Sequence, residues 1–392
     1  MKRLFRAAAA LSLLLAALPA RAAEIRASVL FIGDIMVHEQ QLRAARQKSS
    51  DGTVTWNFSP QFRRISPLFQ DQFTVGNLET VLAGSKRGWS GYPRFNTPDS
   101  LADALLNDLG ADLLTLSTNH IFDCGARGAR RTTQILDKTG ILWTGLALDR
   151  TPRNDAVLCE SDGLLWAFVN FGYGSNAFVK SSDVHMNVIS EKSIAEGMRN
   201  AAVFHPDVTV ACFHWGTEYT YRAGAQQRKA AEKALELGAD LVIGTHPHVV
   251  QPVEVRFDKR TKRTGAVAWS LGNFISFQRT LPRERSYILK AEFAKDDEGH
   301  TRLIRLSAAP LQVILTPVRG ARLAEVVYAG KDGSFNHAGL SRTQLKNIRA
   351  AGDAVLDFLG AQTEPDEKGF YTLWSAENPQ KLPKPRRRTP IK

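Results

Sequence analysis

The chain has 392 residues, 43% of them apolar, and a formal net charge of +12. That length supports one large core or two ordinary ones, and three cysteines permit at most one internal bridge, which excludes a disulfide-stapled scaffold. The charge sits at the ends: without the four bases of residues 1–22 and the six of residues 381–392 the body is near +2, lacking the basic stripe of a nucleic-acid-binding domain.

In chain order the first feature is a leader. Residues 1–6 are basic, residues 7–18 form an apolar run too short to span a bilayer comfortably, and Ala20-Arg21-Ala22 offers a small-x-small cleavage site. This predicts a signal peptide over residues 1–22 and an exported chain, periplasmic or extracellular, which stays membrane-associated if the leader is not cleaved. No later segment is long and apolar enough to cross a bilayer.

Strand and helix patterns then alternate. A buried strand over residues 29–32 ends in Gly33-Asp34, and a helix follows over 39–46. A strand over 73–75 ends in Gly76-Asn77-Leu78-Glu79. The polar loop after it, with Gly84, Gly88, Gly91 and Pro93, is too long for a plain connector. Asp99-Ser100 caps a helix over 101–109 that stops at Gly110. The strand over 112–117 runs into Thr118-Asn119-His120-Ile121-Phe122-Asp123-Cys124-Gly125, and a helix over 126–138 leads to strands over 141–143 and 164–169. A helix over 191–204 precedes a strand over 208–213, which holds Cys212 as a small buried hydrophobe and ends in His214-Trp215-Gly216-Thr217-Glu218-Tyr219. The helix over 225–237 returns to a strand over 241–243, followed at once by Gly244-Thr245-His246-Pro247-His248. A strand over 266–269 ends in Ser270-Leu271-Gly272-Asn273. After Tyr287 the period is two, over 288–293, 302–306 and 312–315, which predicts antiparallel strands, and a helix over 341–359 closes the body. The order predicts an α/β fold, one domain over residues 27–360 of layered β-sheets flanked by helices and finished by antiparallel strands. Residues 361–392 read as an extension with a disordered, Pro-rich basic tail.

The strand ends share a composition. Asp34, Asn77, Glu79, Asn119, His120, His214, His246 and His248 each follow a buried run, Asp34 and Asn77 directly beside a glycine. Ligands of open α/β sheets bind outside the carboxyl ends of the strands, so these side chains are expected to converge on one crevice. Two carboxylates, an amide oxygen and three imidazoles, without a thiolate, suit Mn, Fe or Zn. Six donors exceed what one tetrahedral ion needs, so the natural reading is two divalent transition ions sharing a carboxylate.

These motifs, taken together over residues 27–280, resemble the CapA family of poly-γ-glutamate capsule biosynthesis proteins, itself similar to the calcineurin-like metallophosphatases. The resemblance implies an αββα metallophosphatase-like sandwich. It implies that Asp34 is a first metal ligand, Glu79 (or Asn77) the bridging residue, Asn119 the amide ligand, and His214, His246 and His248 the remaining ligands. It implies a catalytic role for His120 at the leaving group, with Asp123 fixing its tautomer. Glu218 and Tyr219 are expected near the substrate, and Arg94, on the long loop, is the expected anion contact. Asn273 reads as a substrate contact or as a turn residue at the last strand end. One departure stands out: metallophosphatases carry Asp-x-His in the first motif, and here the third position is Met36. His38 is too far into the following turn to replace it. His185, His205, His300 and His337 lie outside the motifs, and Trp215 is expected to pack beneath the site. The function expected is an exported, metal-dependent hydrolase acting on an anionic polymer or a phosphorylated envelope substrate, with a membrane-bound synthesis or export complex as partner. The competing reading is a polymer-binding subunit that retains the fold without catalysis.

Overall fold

The structure is a computed structural model that describes residues 24–149, 154–179, 183–259, 261–318, 320–331, 337–362 and 364–379. The predicted leader (1–22) and basic tail (381–392) lie outside the described residues. In chain order the first elements are β1 (Ile25–Ile35), α1 (Glu39–Ala45), a small hairpin of β2 (Arg46–Lys48) and β3 (Val54–Trp56), β4 (Phe73–Leu78), α2 (Ser100–Leu109), β5 (Ala111–Thr115), α3 (Gly125–Thr139) and β6 (Leu142–Thr144). Next come β7 (Leu146–Leu148), β8 (Val157–Ser161), β9 (Leu164–Gly172), β10 (Val184–Met186), α4 (Glu191–Ala202), β11 (Val208–His214), α5 (Ala225–Glu236), β12 (Leu241–Thr245), β13 (Val253–Phe257) and β14 (Thr264–Ala268). The chain closes with β15 (Asn273–Ile275), β16 (Arg285–Lys295), β17 (Thr301–Val318), β18 (Ala321–Tyr328), α6 (Arg342–Leu359) and β19 (Tyr371–Ser375).

Two large sheets form. One runs β18-β17-β16-β1-β4-β5-β6, with β15 against β1 and β19 against β17; the other runs β13-β14-β12-β11-β9-β8. In the first, β1, β4, β5 and β6 are parallel and β16, β17 and β18 antiparallel. In the second, β9, β11, β12 and β14 are parallel, with an antiparallel strand at each edge.

The apolar runs explain the layering. On β1, Val29 and Phe31 pack with Trp166 and Phe168 of β9 and Val210 of β11 in a core between the sheets. Leu30 and Ile32, one residue out of phase, pack on the other side with Leu101 and Leu105 of α2 and Leu136 of α3. On the far face of the second sheet, Val169 and Ala211 meet Ile194 and Met198 of α4 and Ala230 of α5. Strands buried on both faces read as continuous rather than alternating apolar runs. Each side chain removed from water as completely as Phe31 contributes about 1.5–3 kcal/mol. The result is four layers, helix–sheet–sheet–helix, as the sequence leads one to expect.

Three expectations differ from the structure. The strands predicted over 302–306 and 312–315 are one 18-residue strand, β17. Pro310 falls where β17 changes neighbour, from β19 at Ala308 to β18 at Leu311, so its missing N–H breaks no ladder. The body also does not end near residue 360, since β19 pairs with β17 and buries Leu373 and Trp374. Finally, Asp99 occupies the N-cap of α2 without a side-chain cap bond; its carboxylate is taken by Arg131 at 2.6 and 2.7 Å. The cysteines are free, with Cys212 buried in the inter-sheet core. No helix among the described residues is long and apolar enough to cross a membrane.

Candidate metal centre

Both sheets bring the carboxyl ends of their parallel strands to one edge. In the first sheet Thr115, Asn77 and Asp34 lie in register near the ends of β5, β4 and β1, beside Asn273 at the start of β15; in the second, His214 lies beside Thr245. The glycines beside the ligands permit the close approach. A Cβ on Gly33 would lie 1.8 Å from the carbonyl oxygen of Gly272, and one on Gly244 would lie 2.1 Å from that of Trp269. Breaks in register at Asp34, between β1 and both β4 and β15, turn its carboxylate toward the cleft.

The loop after β12 is strained. His246 and His248 have φ of +93° and +58°, a region non-glycine residues rarely occupy. It is held by the His246 N–H, 3.2 Å from both Asp34 oxygens, and by the Tyr219 N–H, 2.8 Å from the Pro247 carbonyl.

Two overlapping triads result, Asp34–Glu79–His214 and Glu79–His246–His248, all buried, each with ligand atoms within 4.8 Å of one another. Glu79 belongs to both. Its two oxygens and the Nδ1 of His246 are buried without a hydrogen-bond partner. Such atoms cost about 1–3 kcal/mol each when left unmet. The other ring nitrogens are anchored from behind. His214 Nδ1 lies 3.1 Å from the Thr245 hydroxyl and 3.3 Å from Asn77 Nδ2, leaving Nε2 at 2.9 Å from Asn119 Oδ1 and 3.6 Å from Glu79. His248 Nδ1 lies 3.0 Å from Asn273 Oδ1 and 3.1 Å from Asp34, leaving Nε2 at 3.8 Å from Glu79. Imidazoles held at one nitrogen and aimed with the other are oriented as metal ligands are.

The electrostatics agree. Burial, with the charge of Asp34 beside it, pushes the Glu79 carboxyl up to about 8. Burial opposes the charged form of Asp34 as well, yet its hydrogen bond and attraction to His248 hold it below the usual carboxylate range. Burial pushes His214 down to about 3; burial and the neighbouring imidazoles push His246 down to about 2. His248, although buried, is raised to about 9 by Glu79 and Asp34. Closely packed carboxylate and imidazole donors, with orphaned buried atoms at their centre, fit a bound metal ion.

Around this centre the other predicted residues fall at different depths. His120 lies outside both triads, and its Nδ1 meets Asp123 Oδ2 at 2.7 Å; the same oxygen accepts the Phe95 N–H at 2.7 Å. That tie leaves Nε2 of His120 as the atom able to take or give a proton. Arg94 is exposed on the rim, one residue from Phe95, whose ring meets the His120 ring edge-on at 4.7 Å. Glu218 is exposed beside Tyr219, whose ring lies 5.9 Å from that of His248. Asn273 is fully buried, and its amide is engaged by His248, Gln278 and the Arg283 carbonyl, so it sits behind the cluster rather than facing a substrate. Met36 is buried and adds no imidazole, and His38 Nδ1 is engaged by the Phe277 N–H. Trp215 is buried against Phe213 and Trp269.

Two neighbours were not anticipated. Tyr173 lies over His246 at 4.7 Å and stacks on His214 at 6.3 Å, and burial pushes its phenol up to about 12. It follows Gly172 at the end of β9, so the pattern that marks the candidate ligands, a buried strand stopping at glycine, marks it too. Arg283 lies 3.4 Å from the centroid of the Tyr219 ring, and nothing in its sequence context signals that.

Residues 28–278 match the family model described as "Bacterial capsule synthesis protein PGA_cap". The chain is 23% identical over 290 residues to the PGA biosynthesis protein CapA of Bacillus subtilis, covering 73% of this chain and 71% of that one. It is 24% identical over 264 residues to the capsule biosynthesis protein CapA of Bacillus anthracis, covering 63% of this chain but 59% of the relative. Among solved structures, a 5′-nucleotidase from Candida albicans superposes with a TM-score of 0.41 at 11% identity, over 69% of this chain and 51% of that chain.

Proposed function

The chain belongs to the bacterial capsule synthesis protein PGA_cap family, and from that premise we propose that it is an exported hydrolase-type protein of capsule or envelope polymer biosynthesis. Its bond is a phosphoester or a γ-glutamyl amide of an anionic polymer such as poly-γ-glutamate, and its centre takes two divalent transition ions. The observation that supports this most is Glu79, a buried carboxylate with neither oxygen hydrogen-bonded, shared by two sets of ligand atoms. Mn, Fe or Zn bound there would supply Lewis acidity and a nucleophile at neutral pH.

The chain's own residues define the rest. Asp34, Glu79, Asn119, His214, His246 and His248 are the ligands in this reading, with Asn273 and Thr245 fixing the rings of His248 and His214. Asp123 holds His120 so that Nε2 delivers a proton to the leaving group. Tyr173, kept protonated, donates from above the cluster. Arg94, Glu218 and Tyr219 stand at the rim, where a polymer chain enters, and a membrane-bound synthesis or export complex is the partner this role calls for.

The test is metal content by elemental analysis, followed by turnover of p-nitrophenyl phosphoesters and of oligo-γ-glutamates by mass spectrometry. About two transition ions per chain with cleavage of one bond class is the expected result. Failure to retain any ion after exposure to Mn or Zn would sink the centre. Metal without cleavage of either bond would leave a polymer-holding protein instead.

A further inference from the structure

A cavity adjoins the metal centre. It has a volume of about 320 Å³ and lies between the start of α4 and α5, lined among others by Tyr173, Trp215, Glu191, Gln226, Lys229 and Lys233. Tyr173 joins this cavity to the centre, since its ring also packs on His246 at 4.7 Å. Trp215 directly follows His214 in sequence and forms part of the cavity's inner wall. A volume near 300 Å³ is at the lower end of ordinary small-ligand pockets, enough for one residue of a polymer.

The charges on its wall are unequal in availability. Glu191 pairs with Lys229 at 2.6 Å and is attracted more weakly by Lys233. Lys233, half-buried, forms no ion pair among the described residues and faces the cavity from α5. An ammonium in that position, above an apolar floor of Ile194 and Trp215, is complementary to a carboxylate carried on an aliphatic stem.

We propose that this cavity is a second subsite for the anionic polymer. A chain whose reacting bond lies at the metal centre passes Tyr173 and places a neighbouring residue between α4 and α5, with its carboxylate on Lys233. The inference rests on the polymer reading above and extends it: the protein measures chain length, taking oligomers that fill both spaces in preference to short ones.

The experiment is isothermal titration of the full chain, loaded with Mn, against oligo-γ-glutamates of two and of six residues. The wild type is expected to bind the six-residue chain more tightly by about tenfold, the worth of one charge-assisted hydrogen bond. Lys233→Glu, and Gln226→Trp, which fills the cavity from its solvent side, should lose that gain and leave binding of the two-residue chain unchanged. Melting temperatures within a degree or two of wild type would show that both variants fold. If both keep the tenfold gain, the subsite is wrong while the polymer reading stands. If the wild type binds neither oligomer, the polymer reading fails and the subsite falls with it.

Discussion

Replacing Glu79 by Gln keeps the shape of the side chain and removes the charge that both triads share. Glu79→Gln should therefore lose both ions by elemental analysis, whereas His246→Ala/His248→Ala should lose one and keep the other on Asp34, Glu79 and His214. Equal losses in the two variants would argue against a shared carboxylate. Asp123→Asn removes the charge from the acceptor that sets the His120 tautomer; it should lower kcat about 10²-fold or more with metal content unchanged. At this scale the sequence was readable where a buried run meets glycine and then Asp, Asn, Glu or His, because close backbone approach and ligand supply are required at the same place. Asn273 has that signature and still lies behind the cluster. Its register beside Asp34 decides this, and register depends on which strands pair.

Element by element, the helices followed from periodicity and stop signals: α2 ends where Gly110 turns left-handed at φ +54°, and α4 begins where Ser190 accepts the Ser193 N–H. What was not legible depended on competition or on partners distant in sequence. Arg131 takes the carboxylate that would cap α2, and β17 stays continuous through Pro310 because its neighbours change there. The glycines give the sharpest prediction. Gly33→Ala puts a methyl 1.8 Å from the Gly272 backbone, where nothing flexible can yield. It should cost several kcal/mol, seen as a drop in Tm of about 5 °C or more, and should reduce metal content. Gly110→Ala, with open space around it, should cost about 1 kcal/mol and leave metal content intact. Equal effects would mean that the strand ends tolerate more room than the structure gives them.

Across the whole molecule, the centre couples stability to pH. In the metal-free chain Glu79 and His248 are raised in the fold, to about 8 and about 9. Their stabilising contributions are present below their unfolded values, about 4.5 and 6.5, and are lost as pH rises through the folded ones. His214 and His246 are depressed, to about 3 and about 2, so their contributions are lost as pH falls below about 6.5. Metal binding needs deprotonated ligands and strengthens with pH. Thermal scans of chelated and Mn-loaded protein should therefore diverge from pH 6.5 to pH 9, the chelated form losing about 4 °C or more. Parallel curves would refute a metal centre at these residues.

The position of β1 sets a timetable for biogenesis. It is made first, yet its antiparallel neighbour β16 runs from Ile25↔Lys295 to Phe31↔Leu289, roughly 260 residues later. At ribosomal speeds of about 5–20 residues per second, the edge of β1 opposite β4 waits on the order of ten to fifty seconds for its partner. Every ligand has left the ribosome by then, but the sheet that aims them has not closed. A fragment of residues 24–278 keeps all the motifs and lacks β16, β17 and β18; by circular dichroism it should show no cooperative unfolding. A chain that settles only once its last third arrives keeps sheet edges unpaired until then, which is hazardous for one that lingers without a chaperone.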